Sequence, residues 1–162
     1  MRRILFLLAG LAVLVVFGVQ VRDAEALIAA GEIVLLDLAP VDPRSMMQGD
    51  YMRLAYAIER QVKANDDEGA DPAPTIVLAL DERRVGSFRR FASEGPAGPG
   101  EQAFRVRRID TSLRVEPHSF LFQEGRADDF AKAKFGIFRV DATGRHLLTG
   151  LADADGKRID PP

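Results

Sequence analysis

Length, composition and charge exclude several classes of protein before any motif is considered. The chain has 162 residues, enough for one domain together with an N-terminal anchor. Its 22 lysines and arginines nearly balance 24 aspartates and glutamates, which argues against a dedicated nucleic-acid-binding protein. With no cysteine and only two histidines, the chain has no means of forming disulfides or thiolate metal sites, and we expect no cofactor.

The N-terminus predicts a membrane anchor. Residues 4–21 contain no ionisable side chain and would rise about 27 Å as a helix, close to the thickness of a hydrocarbon core. The positive charge of residues 1–3 predicts a cytoplasmic N-terminus, a single pass through a bacterial inner membrane and a periplasmic domain. A cleaved signal peptide is the alternative, with Ala24 and Ala26 at the cleavage site, but the apolar run is longer than such peptides usually have.

The rest of the chain is predicted to be mainly β. A juxtamembrane helix over 22–31 ends at Gly31, a domain follows over 32–152, and 153–162 form a flexible tail. Apolar runs and alternation predict strands over 32–39, 51–58, 75–80, 85–91, 103–110, 113–122, 136–140 and 146–151. Short helices are predicted at 45–48 and 128–134, loops at 63–74 and 93–100, and a hairpin turn at 141–144. The expected fold is a transmembrane helix followed by a small antiparallel β barrel or sandwich with one or two short helices.

Arginines are concentrated in the middle of the domain. Eight of the eighteen lie between Arg83 and Arg114, against three acidic residues in the same span. One interpretation is a basic face that contacts anionic lipid head groups or an acidic partner. The other is the solvated side of a sheet, because Arg105 and Arg107 alternate with apolar residues.

The most specific motif lies between the first two predicted strands. It comprises Gly49, Asp50, Tyr51, Leu54 and Tyr56, preceded by Asp42, Pro43 and Arg44. These residues resemble the signature of the GDYXXLXY family of bacterial membrane-anchored proteins. A downstream pattern that begins with residues 120–125, including Glu124 and Gly125, extends the resemblance over essentially the whole chain. The resemblance implies no activity and no catalytic residues. It does imply a multi-spanning membrane protein as a partner.

The motif also has a direct physical interpretation. Gly49 supplies a permissive backbone at the turn into the strand, and Asp50 accepts hydrogen bonds from nearby amides. Tyr51 is predicted on the opposite face from Leu54 and Tyr56. The alternative is a ligand or partner site on one tight corner, formed by Asp42, Arg44, Asp50 and Tyr51.

The sequence contains little evidence of a catalytic site. Ser45 and the following Met46 are similar to the serine region of type I signal peptidases, which use a Ser–Lys dyad. The pattern soon departs from those enzymes, and no lysine is predicted in an apolar strand where it could act as a base. We therefore predict a non-enzymatic periplasmic accessory module for a multi-spanning membrane protein, without metal. The alternatives are an envelope serine hydrolase using Ser45, and a small-ligand-binding domain using Arg44, Asp50 and Tyr51.

Overall fold

The N-terminal helix is a single long element. The computed structural model describes residues 2–39, 47–48, 51–64, 73–110 and 112–159. Helix α1 runs without interruption over Arg2–Ala30, so the anchor and the juxtamembrane helix predicted as two segments form one. The helix ends at Ala30, immediately before the predicted stop at Gly31, whose amide donates to the Leu27 carbonyl oxygen at 2.8 Å.

Within the described part of the chain, no helix combines the length and the apolar character required to cross a bilayer. The predicted membrane span over 4–21 therefore stays a prediction.

Short strands make up most of the remaining structure. In chain order they are β1 (Glu32–Asp37), β2 (Met47–Gln48), β3 (Tyr51–Arg53), β4 (Thr75–Leu80), β5 (Gly86–Phe91), β6 (Glu101–Arg105), β7 (Arg107–Ile109), β8 (Ser112–Arg114), β9 (Ser119–Leu121), β10 (Phe135–Val140), β11 (His146–Ala152) and β12 (Arg158–Ile159). Two short helices accompany them, α2 (Ile58–Ala64) and α3 (Ala127–Phe130), with a 3₁₀ turn at Ala92–Glu94.

The strands pair antiparallel in four small sheets. Their orders are β1-β10-β11-β12, β2-β3-β9, β5-β4-β6 and β7-β8. Two contacts join the first sheet to the third: the Leu35 amide donates to the Arg84 carbonyl oxygen at 2.9 Å, and the Arg105 amide donates to the Gly144 carbonyl oxygen at 2.9 Å. Because these two contacts lie at opposite edges of the third sheet, the first and third sheets curl round a shared interior. The predicted mainly β, antiparallel fold is confirmed as a curled antiparallel sheet.

One apolar core fills the interior of the curl. The largest fully buried side chains include Tyr56, Phe104 and Phe138. The Phe138 ring contacts the Tyr56 ring in a tilted arrangement and the Phe104 ring edge-on, with centroid separations of 5.6 Å and 5.5 Å. A second, smaller cluster joins Leu35, Phe135, Ile137 and Ala152 on the other face of β1 and β10. Since β1 is buried on both faces, its sequence reads as a continuous apolar run rather than an alternation.

Two predicted strands are each divided in the structure. The predicted strand over 103–110 becomes β6 and β7, which lie in different sheets. The Val106 amide between them donates to the Pro74 carbonyl oxygen, which extends the pairing of β6 with β4 by one residue before β7 pairs with β8. The predicted strand over 113–122 becomes β8 and β9. Between them lies Pro117, which has no amide hydrogen to contribute to a strand ladder.

Three further boundaries differ from the prediction. The alternation predicted to continue as a strand to Ile58 gives way to α2, which begins at that residue. Met47 and Gln48 form β2, paired with β3, and not the end of a helical turn. Residues 153–159 of the predicted tail over 153–162 instead continue the domain, and 160–162 lie outside the described residues. The Asp153 carboxylate accepts hydrogen bonds from the Asp155 and Lys157 amides, and β12 then pairs with β11.

Candidate functional site

Three residues of the GDYXXLXY motif, Tyr51, Leu54 and Tyr56, lie in the described part of the β domain. Tyr51 begins β3 and is partly exposed, whereas Leu54 and Tyr56 are buried in the core, so the predicted division between two faces is confirmed. Outside the described residues lie Asp42, Pro43, Arg44, Ser45, Gly49 and Asp50. The predicted binding corner and the candidate nucleophile therefore remain predictions.

Tyr56 is a core residue with a satisfied hydroxyl. Its Oη donates a hydrogen bond to the Pro117 carbonyl oxygen at 2.9 Å. Burial, reinforced by the negative charge of Glu59, raises the pKa of the phenol well above its ordinary value, so the hydroxyl stays protonated as a donor. Gly136 makes room for this ring, since a Cβ there would lie 3.2 Å from Tyr56 Cε1. Tyr56, the last residue of the motif, therefore has a structural role in the core.

The downstream family pattern meets the motif in space. Strand β9 pairs with β3, and Tyr51 lies opposite Leu121. Leu121 is 78% exposed, whereas its neighbours Phe120 and Phe122 pack against the buried Phe130. Tyr51 and Leu121 therefore form a surface pair, which we call the β3–β9 patch.

Glu124 and Gly125, the other predicted site residues, form the exposed turn that follows β9. Gly125 adopts a φ of 82°, a conformation that favours glycine. This geometry accounts for a glycine here without a binding role.

A concave site lies elsewhere, at the end of the domain where β11 begins. A pocket of about 670 Å³ is bordered by Arg105, Arg107 and Arg145, and by the acidic Glu116. Its apolar walls come from Val106, Pro117, Leu147 and Leu148. We call this the arginine pocket. The sequence indicated Arg105 and Arg107 by their alternation but gave no signal for Arg145, which the hairpin between β10 and β11 brings to them.

The three arginines are held by neighbouring groups. The Arg105 guanidinium donates to the carbonyl and hydroxyl oxygens of Thr143, at 3.2 and 3.3 Å. Arg107 Nη1 lies 3.1 Å from Glu116 Oε1. Arg145 Nε lies 3.9 Å from the nearer Asp141 carboxylate oxygen, a longer separation than a direct hydrogen bond allows.

His146 forms the inner wall of the arginine pocket. Its ring stacks on Phe104 with a centroid separation of 3.9 Å, and its Nδ1 and Nε2 lie 3.2 and 3.1 Å from the carbonyl oxygens of Gly144 and Glu116. Burial lowers the pKa of the imidazole, although the two carbonyls and the Glu116 charge oppose that effect and Arg105 adds to it. The neutral ring can donate to one of the two carbonyls.

Most other central arginines are engaged in ion pairs. Glu101 accepts hydrogen bonds from both terminal nitrogens of Arg90, at 2.9 and 3.0 Å, and lies 2.9 Å from Arg89 Nε. Arg114 pairs with Glu59, and Arg84 pairs with Glu32. These contacts favour the interpretation of the arginine-rich span as a solvated, internally paired surface, apart from the residues that border the arginine pocket.

No catalytic arrangement is evident among the described residues. Lys63, Lys132, Lys134 and Lys157 are all exposed, whereas a lysine base requires burial. In the same part of the chain, no three histidine, aspartate or glutamate side chains come together in a group able to hold a metal ion.

Fold and site together define a small antiparallel β domain that continues directly from one long N-terminal helix and uses Leu54 and Tyr56 as core residues. The chain belongs to the GDYXXLXY family, whose model, described as GDYXXLXY protein, matches residues 13–151. The match begins within α1 and ends within β11, so it covers part of the helix and most of the β domain. Comparison with curated proteins and comparison with solved structures each give no match.

Proposed function

We propose that this protein is a non-enzymatic accessory module, anchored in the bacterial inner membrane by α1, with residues 1–3 in the cytoplasm and the β domain in the periplasm. Its partner is a multi-spanning membrane protein. The observation that carries the proposal is the exposure of apolar side chains along α1. Phe6, Leu14 and Phe17 are exposed by 74%, 70% and 61%, and every described side chain over residues 8–23 is exposed.

An exposed helix that is apolar on every face needs an apolar environment. Within the described part of the chain, α1 adjoins the β domain near its C-terminal end, where Leu27 is buried. Gly31, the residue after the helix, accepts a hydrogen bond from Arg139 through its carbonyl oxygen at 2.8 Å. A lipid bilayer would cover the remainder on all sides. The charged residues Arg22, Asp23 and Glu25 follow the apolar run, as expected for a segment that leaves the bilayer there.

Alkaline extraction of native membranes tests the anchor. We expect the wild-type chain to stay in the membrane pellet and the double variant Leu11→Asp with Val15→Asp to be released, because each charge near a helix centre costs about 2.5–3.5 kcal/mol on insertion. The matched control is Ile28→Asp with Ala29→Asp, which adds the same charge to exposed positions beyond the apolar run. Release of the wild-type chain would show that α1 is not an anchor.

The β3–β9 patch is the surface we assign to the partner. It lies where the two sequence patterns of the family meet, and it presents Leu121 with 78% exposure beside Tyr51. A large apolar side chain at the end of a short edge strand is suited to a protein contact. Its neighbours Phe120 and Phe122 are packed inward, so the exposure of Leu121 is not explained by a loosely packed strand.

Crosslinking in native membranes, followed by purification in mild detergent and mass spectrometry, tests the partner. We expect a multi-spanning membrane protein in stoichiometric amount, lost when Tyr51→Ala and Leu121→Ala are combined. The control Ile109→Ala removes a different exposed apolar side chain, on β7, and should retain the partner. If the wild-type chain is recovered alone, or the control loses the partner equally, the assigned surface is wrong.

A further inference from the structure

The arginine pocket lies at the end of the β domain that adjoins α1. A recess of about 220 Å³ between helix and domain is lined by Gln20, Asp23 and Ala24 on one side and by Arg145, His146 and Leu147 on the other. Gln20 is the last but one residue of the uncharged run 4–21. The start of β11 therefore lies beside the helix at the level where its apolar segment ends.

This recess and the arginine pocket share Arg145, His146 and Leu147, so the start of β11 borders both. From there the arginine pocket extends to Arg107 and Glu116. Its residues combine apolar walls with three guanidinium groups and a single carboxylate, Glu116, within the larger pocket. Such a lining suits a molecule that has an anionic head and an apolar body.

We propose that the arginine pocket binds the phosphate head group of an anionic phospholipid in the bilayer that holds α1. The inference rests on the membrane anchoring proposed above. Arg105 and Arg145 contact the phosphate, since guanidinium groups bind phosphate oxygens through paired hydrogen bonds. Leu147 and Leu148 contact the glycerol and upper acyl region of the lipid.

The charges round the pocket fit this ligand. Arg107 is partly neutralised by Glu116, and Arg145 is only distantly paired with Asp141, at 3.9 Å. The side chains of Arg107 and Arg145 are 64% and 48% exposed, which leaves them accessible from outside the domain. Arg105 is oriented by its two bonds to Thr143, so less side-chain entropy is lost when it binds.

Native mass spectrometry of the full chain tests the proposal. The protein is purified in mild detergent and incubated with equal amounts of phosphatidylglycerol, which is anionic, and phosphatidylcholine, which is zwitterionic. We expect one retained lipid with about a tenfold preference for phosphatidylglycerol, because basic side chains near a membrane surface attract anionic head groups. The double variant Arg105→Gln with Arg145→Gln should lose this preference.

The control variant removes the same charge elsewhere. Arg89→Gln with Arg114→Gln affects arginines that pair with Glu101 and Glu59, away from the pocket, and should keep the preference. If the control loses the preference as fully as the pocket variant, the effect is one of net charge and the proposal is wrong. Equal retention of both lipids by the wild-type chain would also overturn it, whether or not the pocket variant folds.

Inorganic phosphate distinguishes a lipid site from a site for the free ion. Phosphate alone, at millimolar concentration, should neither displace the retained phosphatidylglycerol nor raise the melting temperature of the wild-type chain. If it does both, the pocket is a free-phosphate site and the lipid assignment fails. Alkaline extraction separates the two proposals, because a chain that stays in the membrane pellet without any lipid preference keeps its anchor and loses only the pocket assignment.

Discussion

Tyr56 and Pro117 are joined by a hydrogen bond of 2.9 Å, from the phenol hydroxyl to the proline carbonyl oxygen, across 61 residues of sequence. This bond ties the end of the GDYXXLXY motif to the segment between β8 and β9. The same segment contributes Glu116 and Pro117 to the arginine pocket. The motif therefore supports a wall of the pocket from inside the core, although none of its described residues lines it.

Replacing Tyr56 with phenylalanine should destabilise the domain by about 1–2 kcal/mol. The ring and its packing on Phe138 remain, but the buried end of the Tyr56 side chain loses its hydroxyl and the carbonyl oxygen of Pro117 loses a partly buried donor. Urea unfolding of the full chain in detergent, followed by circular dichroism, measures the loss. Leu121→Ala, at an exposed position, is the control and should stay within about 0.5 kcal/mol of wild type. Equal midpoints for Tyr56→Phe and wild type would contradict the structural role of the hydroxyl.

Alanine at Gly136 should cost about 1–3 kcal/mol through overpacking. Its Cβ would lie 3.1 Å from Phe138 Cε2 and 3.2 Å from both Tyr56 Cε1 and Leu148 Cδ1. The melting temperature of the variant is the measurement. Gly98→Ala is the matched control, because a Cβ there meets only Glu101 Oε2, at 3.6 Å. A melting temperature for Gly136→Ala as high as that of the control would show that the core can expand without cost.

His146 should make the domain less stable as the pH falls below its ordinary pKa of about 6.5. Since burial lowers the pKa in the folded state, the unfolded chain binds the proton more readily, and protonation favours unfolding. Urea midpoints measured between pH about 7 and about 5 should fall for wild type and fall less for His146→Gln. Parallel pH profiles for the two proteins would exclude His146 as the cause.

Glu101 should contribute stability that disappears only in strong acid. Its hydrogen bonds from Arg90, and further contacts with Gly98 and Arg89, lower the pKa of the carboxyl from 4.5 to about 2. The contribution is therefore present above pH 4.5 and is lost as the pH falls towards 2. Glu101→Gln should be less stable than wild type at neutral pH, with the difference shrinking during acid titration. Glu82→Gln, at an exposed turn position, is the control and should follow the wild-type curve.

Strands with a clear sequence pattern could be predicted closely. The apolar run over 75–80 coincides with β4, and the turn at 141–144 joins β10 to β11 with Gly144 at a φ of 83°. Local chemistry determines such elements, because an alternating or apolar run and a glycine turn define their own ends. Helix α2 was missed because Ile58 continues the alternation of Met52, Leu54 and Tyr56, whereas its partnership with Val62 one helical turn later is a weaker signal.

The arginine pocket could not be predicted as a unit. Its residues come from β6, β7, the segment before β9 and the hairpin that precedes β11, and only the pairing of sheets brings Arg145 near Arg105. Periodicity within one strand indicates which face a side chain occupies but not which distant strand lies beside it. The family motif was visible because it is contiguous, yet its buried half, Leu54 and Tyr56, serves packing.

A single residue, Gly31, separates the end of α1 at Ala30 from the start of β1 at Glu32. Its amide and its carbonyl are both hydrogen-bonded, and a Cβ on it would lie 2.5 Å from the Leu27 carbonyl oxygen, which is too close for any other residue. The chain thus has no tether on which the domain could swing. For a helix held in a bilayer, this fixes the height and tilt of the domain above the surface. Under the anchoring proposed above, the domain would not search the surrounding space, and the proposed partner would meet it within the membrane plane.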